Sequence, residues 1–284
     1  MITSNPFSEL SAFVSPAVMQ GYIILMVLLV VGGTIIDMIH KKSAEYFFEN
    51  AKKAKKNAKR TVGGGEKIGL AVSTVASEIL TSSEFCNPIR RMSHLLLMYG
   101  FITFVVTTAV MIFGYSTPAT PTPEILPQLW HLGAIMVCVG GYWFWFFIRV
   151  DVSAEGVTLF RLVRADLFIL SLLATTTFGL IWSYMQSSQG AATWTTIFFA
   201  LFIFASTILF GGVMWSKFAH MFFKPAAAFQ KKVTKADGSR ENLPAEYDLS
   251  DPAVHERFPD IPEYMGKNPP NMGLGIKREA PNHY

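Results

Sequence analysis

Five apolar stretches, at about residues 18–39, 92–115, 129–149, 166–187 and 194–216, interrupt a chain whose other parts are charged or rich in proline. Each reaches the ~20 residues that a helix rising 1.5 Å per residue needs to cross ~30 Å of hydrocarbon. The pattern predicts an all-α integral membrane protein, a bundle of five transmembrane helices. The first stretch is too long for the apolar core of a signal peptide and runs into Lys41-Lys42, with no small-residue cleavage site, so it is predicted to remain as a span.

The connections alternate in charge. Residues 41–91 carry eleven Lys/Arg, residues 149–164 carry Arg149, Arg161 and Arg164, and the end from Lys217 onward carries the remaining ten of 24. Segments 1–17, 116–128 and 188–193 carry none. Basic loops stay on the cytoplasmic side, so the N-terminus is predicted outside and the C-terminus inside.

Three parts follow: an outer segment 1–17, a membrane domain 18–223 with a cytoplasmic insertion 41–90, and a cytoplasmic tail 224–284. Within the insertion, Ser43 to Arg60 reads as a basic amphipathic helix broken by Gly63-Gly64-Gly65. Ile68 to Leu80 reads as a second short helix lying on the membrane face or on a partner. From Phe222 the chain holds eight of the 15 prolines with nine acidic and nine basic residues, and shows little periodicity. Such a segment cannot build a core of its own, and ordering it takes about 1–2 kcal/mol per residue that contacts with another surface must offset. It is therefore predicted to wrap a cytoplasmic partner, with Phe258, Tyr264, Met265 and Tyr284 as anchors.

Composition narrows the function classes. Half the chain is apolar (51%) and 15% is charged, against roughly a quarter charged in soluble domains. The net charge of +4 is concentrated in Lys52, Lys53, Lys55, Lys56, Lys59 and Arg60, just past a span, where anionic headgroups or an acidic partner account for it and nucleic acid is not expected. Cys86 and Cys138 share no CxxC spacing, so neither a disulfide nor an iron–sulfur cluster is expected. Hydrolase and phosphate-loop motifs are absent from the sequence, and so is the inverted repeat of a transporter.

Histidines are the remaining candidate chemistry. His40, His94 and His220 fall at the cytoplasmic ends of the first, second and fifth stretches, and His131 falls at the outer side. Two neutral imidazoles on different helices at one depth are what bis-histidine haem b ligation requires, and His94 and His220 meet that condition. Arg90 and Arg91 are placed to neutralise propionates. Solvated interfacial histidines are the alternative. His40 follows Asp37 by one turn, a spacing for either a proton-handling or a structural pair, with Lys41 beside it. His131 next to Trp130 reads as part of an outer aromatic belt with Tyr115 and Trp194.

The segment Ile68 to Ile102, IGLAVSTVASEILTSSEFCNPIRRMSHLLLMYGFI, sets a short amphipathic helix before a basic pair and a His opening a span. It resembles the cytochrome b subunits of the nitrate reductase gamma family, over about residues 18–223. Within that family it is most similar to the membrane anchor of adenylylsulfate reductase and the C subunit of the quinone-interacting membrane-bound oxidoreductase. The resemblance implies haem b held by His94 and His220, and electron exchange between cytoplasmic iron–sulfur and flavin subunits, the α and β chains of adenylylsulfate reductase, and membrane quinone. The anchor itself would not touch sulfur. Two-haem relatives carry further histidines midway along the second and fifth helices, where this chain has Phe104, Val105, Phe202 and Phe204, so one haem is expected. Asp37, His40 and Lys41 are the expected quinone and proton residues, and a cofactor-free scaffold is the alternative function.

Overall fold

The computed structural model describes residues 2–83, 85, 87–149, 161–241, 243, 247 and 251–259, with the backbone alone at Ser43 and His220. All regular structure among them is helical. The helices are α1 (Pro6–Leu10), α2 (Pro16–His40), α3 (Ser43–Lys56), α4 (Gly64–Thr74), α5 (Pro88–Gly114), α6 (Ile125–Trp143), α7 (Leu167–Ser187), α8 (Ala192–Gly211), α9 (His220–Ala236) and α10 (Pro252–Arg257). Single π turns extend α4 over Val75–Leu80 and α6 over Phe144–Ile148. Five of these elements, α2, α5, α6 with its π turn, α7 with the short turn before it, and α8, are long and apolar enough to span a bilayer, at 25, 27, 24, 24 and 20 residues. The chain has the build of a multi-pass membrane protein. The end of the bundle where its arginines gather is called the inner end below.

Local chemistry sets several of the starts. Pro opens α1, α2, α5 and α10, where its missing N–H is no loss. Asn5 and Asn87 accept from the first free N–H groups of α1 and α5.

The spans form a ring in the order α2, α5, α6, α7, α8, closed by α2 against α8. The α5–α6 seam is the tightest, because glycines let the backbones meet. A Cβ on Gly100 would lie 2.7 Å from the Gly133 carbonyl oxygen, and one on Gly133 would lie 2.8 Å from that of Gly100. Ser93 Oγ donates across the same seam to the Gly140 carbonyl at 2.8 Å. Small residues serve this purpose in lipid, where apolar side chains gain little by meeting each other. At the closing seam the Tyr22 hydroxyl of α2 lies 2.8 Å from Ser206 Oγ of α8, and Val213 fills a notch at Gly33.

The outer half is an aromatic core. Trp130 and Trp182 are fully buried, and Phe7 from α1 packs on both at 5.8 and 5.5 Å. Phe104 and Phe202 join them, with ring centroids 6.5 Å apart. Phe204 instead faces outward. The outer segment 1–17 is thus a plug. Asn5 Nδ2 bonds the Tyr115 carbonyl and Thr122, and Gln186 bonds the Pro6 carbonyl.

Several expectations are corrected. The fifth span stops at Gly211, not near residue 216, since the Gly211-Gly212 pair weakens the helix and 212–219 runs as turns whose Val213, Phe218 and Ala219 are buried. The stretch after Phe222 is not patternless, for α9 is a two-faced helix packed on α3 and α4. The α3 helix ends at Lys56, and Gly64 and Gly65 begin α4 rather than breaking α3. Arg60 joins the three helices: its N–H and side-chain Nε reach the Asp237 and Ala236 carbonyls at 3.1 and 2.6 Å, capping α9, while its fork holds Glu66.

Candidate functional site at the inner end of the bundle

His94 lies in the second turn of α5, just past Arg90 and Arg91. The chain reaches it by way of the π turn and a residue in the left-handed region, Ser82 (φ 47°), which is fully buried. The Ser82 hydroxyl lies 3.0 Å from His94 Nδ1, and the Phe85 ring lies 4.9 Å from the imidazole. On the other side of Phe85 is α9: Lys224 Nζ sits 5.3 Å from the Phe85 ring. Lys224 is one turn beyond His220. His220 opens α9 rather than ending the fifth span, and Phe85 meets both the His94 ring and the Lys224 ammonium one turn into α9. The His220 side chain lies outside the described residues. Arg91 donates from Nε to the Thr81 carbonyl at 2.6 Å, and Arg90 is half-buried beside the Asn87 cap.

The donor chemistry suits a haem iron. A hydroxyl on Nδ1 fixes ring orientation, the outer-shell arrangement that ligating histidines use. The space is less favourable. Between α5 and α8 at the inner end, Phe101, Phe210 and Phe218 contact one another at 6.1–6.3 Å, with Phe168 a further 5.4 Å from Phe218. A porphyrin between the two crossings requires these rings to turn aside. Among the described residues no three His, Cys, Asp or Glu converge as a metal site of another kind.

Asp37 is buried on α2, and its carboxylate is paired with Lys41 Nζ at 2.6 Å. Its partner is thus the residue at i+4 rather than His40 at i+3, which is exposed. One turn before Asp37, Gly33 packs on Val213 in the turns that lead into α9.

His131 and Trp130 are not belt residues. His131 is 3% exposed, its Nδ1 donating to the Pro127 carbonyl at 2.7 Å and its Nε2 lying 2.9 Å from Ser183 Oγ, which joins α6 to α7. A carbonyl only accepts, so the Nδ1–H tautomer is the one present and Nε2 takes the Ser183 proton. Trp130 Nε1 donates to Thr108 at 2.9 Å. Of the pair's expected belt companions, Trp194 is indeed exposed.

An ion pair that sequence reasoning passed over closes the inner end of α6 and α7. Arg149 Nε donates to Asp166 Oδ1 at 2.9 Å, a second guanidinium nitrogen meets Oδ2, and the Trp145 face lies 4.2 Å below the guanidinium. The legible signal was an Arg ending one apolar stretch and an Asp opening the next. In the tail, Phe258 packs on Tyr247 at 5.2 Å with Arg257 across its face, while Tyr264, Met265 and Tyr284 lie outside the described residues.

Fold and site define a polytopic helical membrane protein with an imidazole held at its inner mouth. Comparisons with family models, curated proteins and solved structures found no match to this chain.

Proposed function

We propose that this chain is the membrane anchor of a cytoplasmic redox complex and passes electrons between that complex and quinone through haem b. The observation that supports it is His94, bonded at Nδ1 to Ser82 and packed on Phe85, whose ring also meets Lys224 of the helix that opens at His220. His94 and His220 would hold the iron, with Arg90 and Arg91 near its carboxylates. Haem supplies a one-electron station between iron–sulfur or flavin donors and a quinone. Reducing a quinone takes up protons equal in number to the electrons, and the buried Asp37 carboxylate, with its exposed partner Lys41 and the exposed His40 beside it in sequence, would handle them. The partner is a cytoplasmic iron–sulfur and flavin reductase, with the adenylylsulfate reductase α and β subunits as the specific candidate, in a bacterial or archaeal cytoplasmic membrane. The tail from Pro244 onward is its docking arm.

The test is absorption of the purified chain before and after dithionite. The expected result is a reduced b-type spectrum in the wild type, lost in His94→Ala and His220→Ala while both variants still insert. Unchanged spectra in both variants would move the ligands elsewhere.

One observation favours a second reading, a scaffold that recruits the reductase without a cofactor: Phe101, Phe210 and Phe218 pack against one another and fill the gap between α5 and α8 at the inner end. A wild-type chain free of haem bands that still retains the reductase on membranes would select it.

A further inference from the structure

The face of α4 turned away from α9 carries an apolar row that no described residue covers. Ile68, Val72 and Val75 recur at i, i+4 and i+7 and are 68%, 63% and 46% exposed, and Leu80 at the end of the π turn is 49% exposed. The opposite face is polar and already engaged. Lys232 of α9 donates to Ser73 at 3.2 Å and Ser77 at 2.7 Å and lies 3.7 Å from Glu78. An uncovered row of this kind marks a contact with lipid or with protein.

The end of the π turn favours lipid. Three consecutive residues are tied to α5, one at the arginine pair that marks its inner boundary and two beyond it. The Leu80 carbonyl accepts from Tyr99 at 2.7 Å, the Thr81 carbonyl accepts from Arg91, and Ser82 meets His94. Along α5, Arg91, His94 and Tyr99 stand about 4, 9 and 16 Å past Pro88, and the Tyr99 side chain leans back toward the helix start, so the turn lies beside the first three turns of α5. Non-helical backbone survives at that depth where its polar groups are satisfied by protein, as these are. Tyr99 also lies on the exposed face of α5 with Met92 and Ile102, so Leu80 continues a row that already meets lipid.

We propose that α4 and its π turn form a re-entrant segment of the inner leaflet, with Ile68, Val72, Val75 and Leu80 against acyl chains and Ser73, Ser77 and Glu78 turned to Lys232. This segment presses Ser82 onto His94, so the lipid contact positions the imidazole. The assignment is independent of whether haem is bound.

Nitroxide labels on the full-length chain test it, with Cys86→Ser and Cys138→Ser as background and single labels at V72C, V75C and, as the aqueous control, K53C. The protein is placed in phosphatidylethanolamine–phosphatidylglycerol vesicles with no other protein present. Collision rates with oxygen and with a water-soluble nickel chelate are then measured. The expected oxygen-to-nickel ratio is several-fold higher at V72C and V75C than at K53C. Ratios at V72C and V75C equal to the control would overturn the proposal and leave this face to a partner protein.

Discussion

A carboxylate buried on a membrane helix needs a counter-charge, and Asp37 finds it at i+4. Sequence spacing offered His40 at i+3; the structure pairs the carboxylate with Lys41 instead, because a long Lys stem can lie along the helix and bring its ammonium back to a carboxylate one turn earlier. Removing the cation strands a buried charge, whereas removing the charge leaves an amide that can still hydrogen-bond. Lys41 is itself 55% exposed, which limits the loss. Lys41→Met is expected to destabilise the bundle by about 1–3 kcal/mol and Asp37→Asn by less. Thermal unfolding in detergent checks the order, and equal losses would mean the pair carries little. At Arg60 and Glu66 the sign differs with pH. The Arg60 hydrogen bond holds the Glu66 carboxyl below its usual range. That contribution is present above the unfolded carboxyl value and is lost as pH falls through the lowered folded one. Both groups are solvent-exposed, so the effect is small and screened by salt. Protection of the Arg60 amide, whose N–H donates to the Asp237 carbonyl, is expected to fall on acidification in the wild type once the intrinsic pH dependence of exchange is divided out, and to be already low and less pH-dependent in Glu66→Gln. His131 shows what residue-level reading could not reach. Trp-His near an outer boundary has belt composition, and only the arrival of Phe7 from a separate segment makes that spot interior.

At the scale of elements, the five spans were legible because length and hydropathy alone settle them, and most boundaries fall within a few residues of the helices observed. Which faces meet was not legible. Spans that are apolar all round carry no stripe to read, so the glycine seam between α5 and α6 is visible only in three dimensions. The α9 helix was missed for another reason: its polar face is satisfied by Ser73, Ser77 and the Arg60 cap, all distant in sequence. Glycines give a direct test. Gly100→Ala and Gly133→Ala each force a methyl within 3 Å of facing backbone, and a loss of about 1–3 kcal/mol or more is expected. Gly21 and Gly32 on α2 have nothing within 4 Å of an added Cβ, so Gly21→Ala and Gly32→Ala are expected to be neutral or to stabilise by up to about 1 kcal/mol through helix propensity. Comparable losses in both pairs would show that the seam is looser than its geometry.

At the scale of the molecule, insertion and post-span chain form one cap, and this changes how the tail must be cut. Deleting 224–284 removes most of α9. It takes away Lys232 from Ser73, Ser77 and Glu78, and the Asp237 and Ala236 carbonyls from Arg60. It also withdraws Lys224 from the Phe85 ring that lies on His94. Loss of a bound reductase from that variant would confound docking with collapse of the cap. Removing 244–284 instead keeps α9, the Asn57–Glu241 bond at 2.9 Å and the Arg60 junction. If the arm does the docking, the shorter deletion is expected to release the reductase from membranes while amide protection of α3, α4 and α9 stays at the wild-type level. If the reductase stays bound after the shorter deletion and leaves after the longer one, the docking surface is the α3–α4–α9 cap with its lysines. In that case the proton and electron paths proposed at the inner end would open beneath the partner itself.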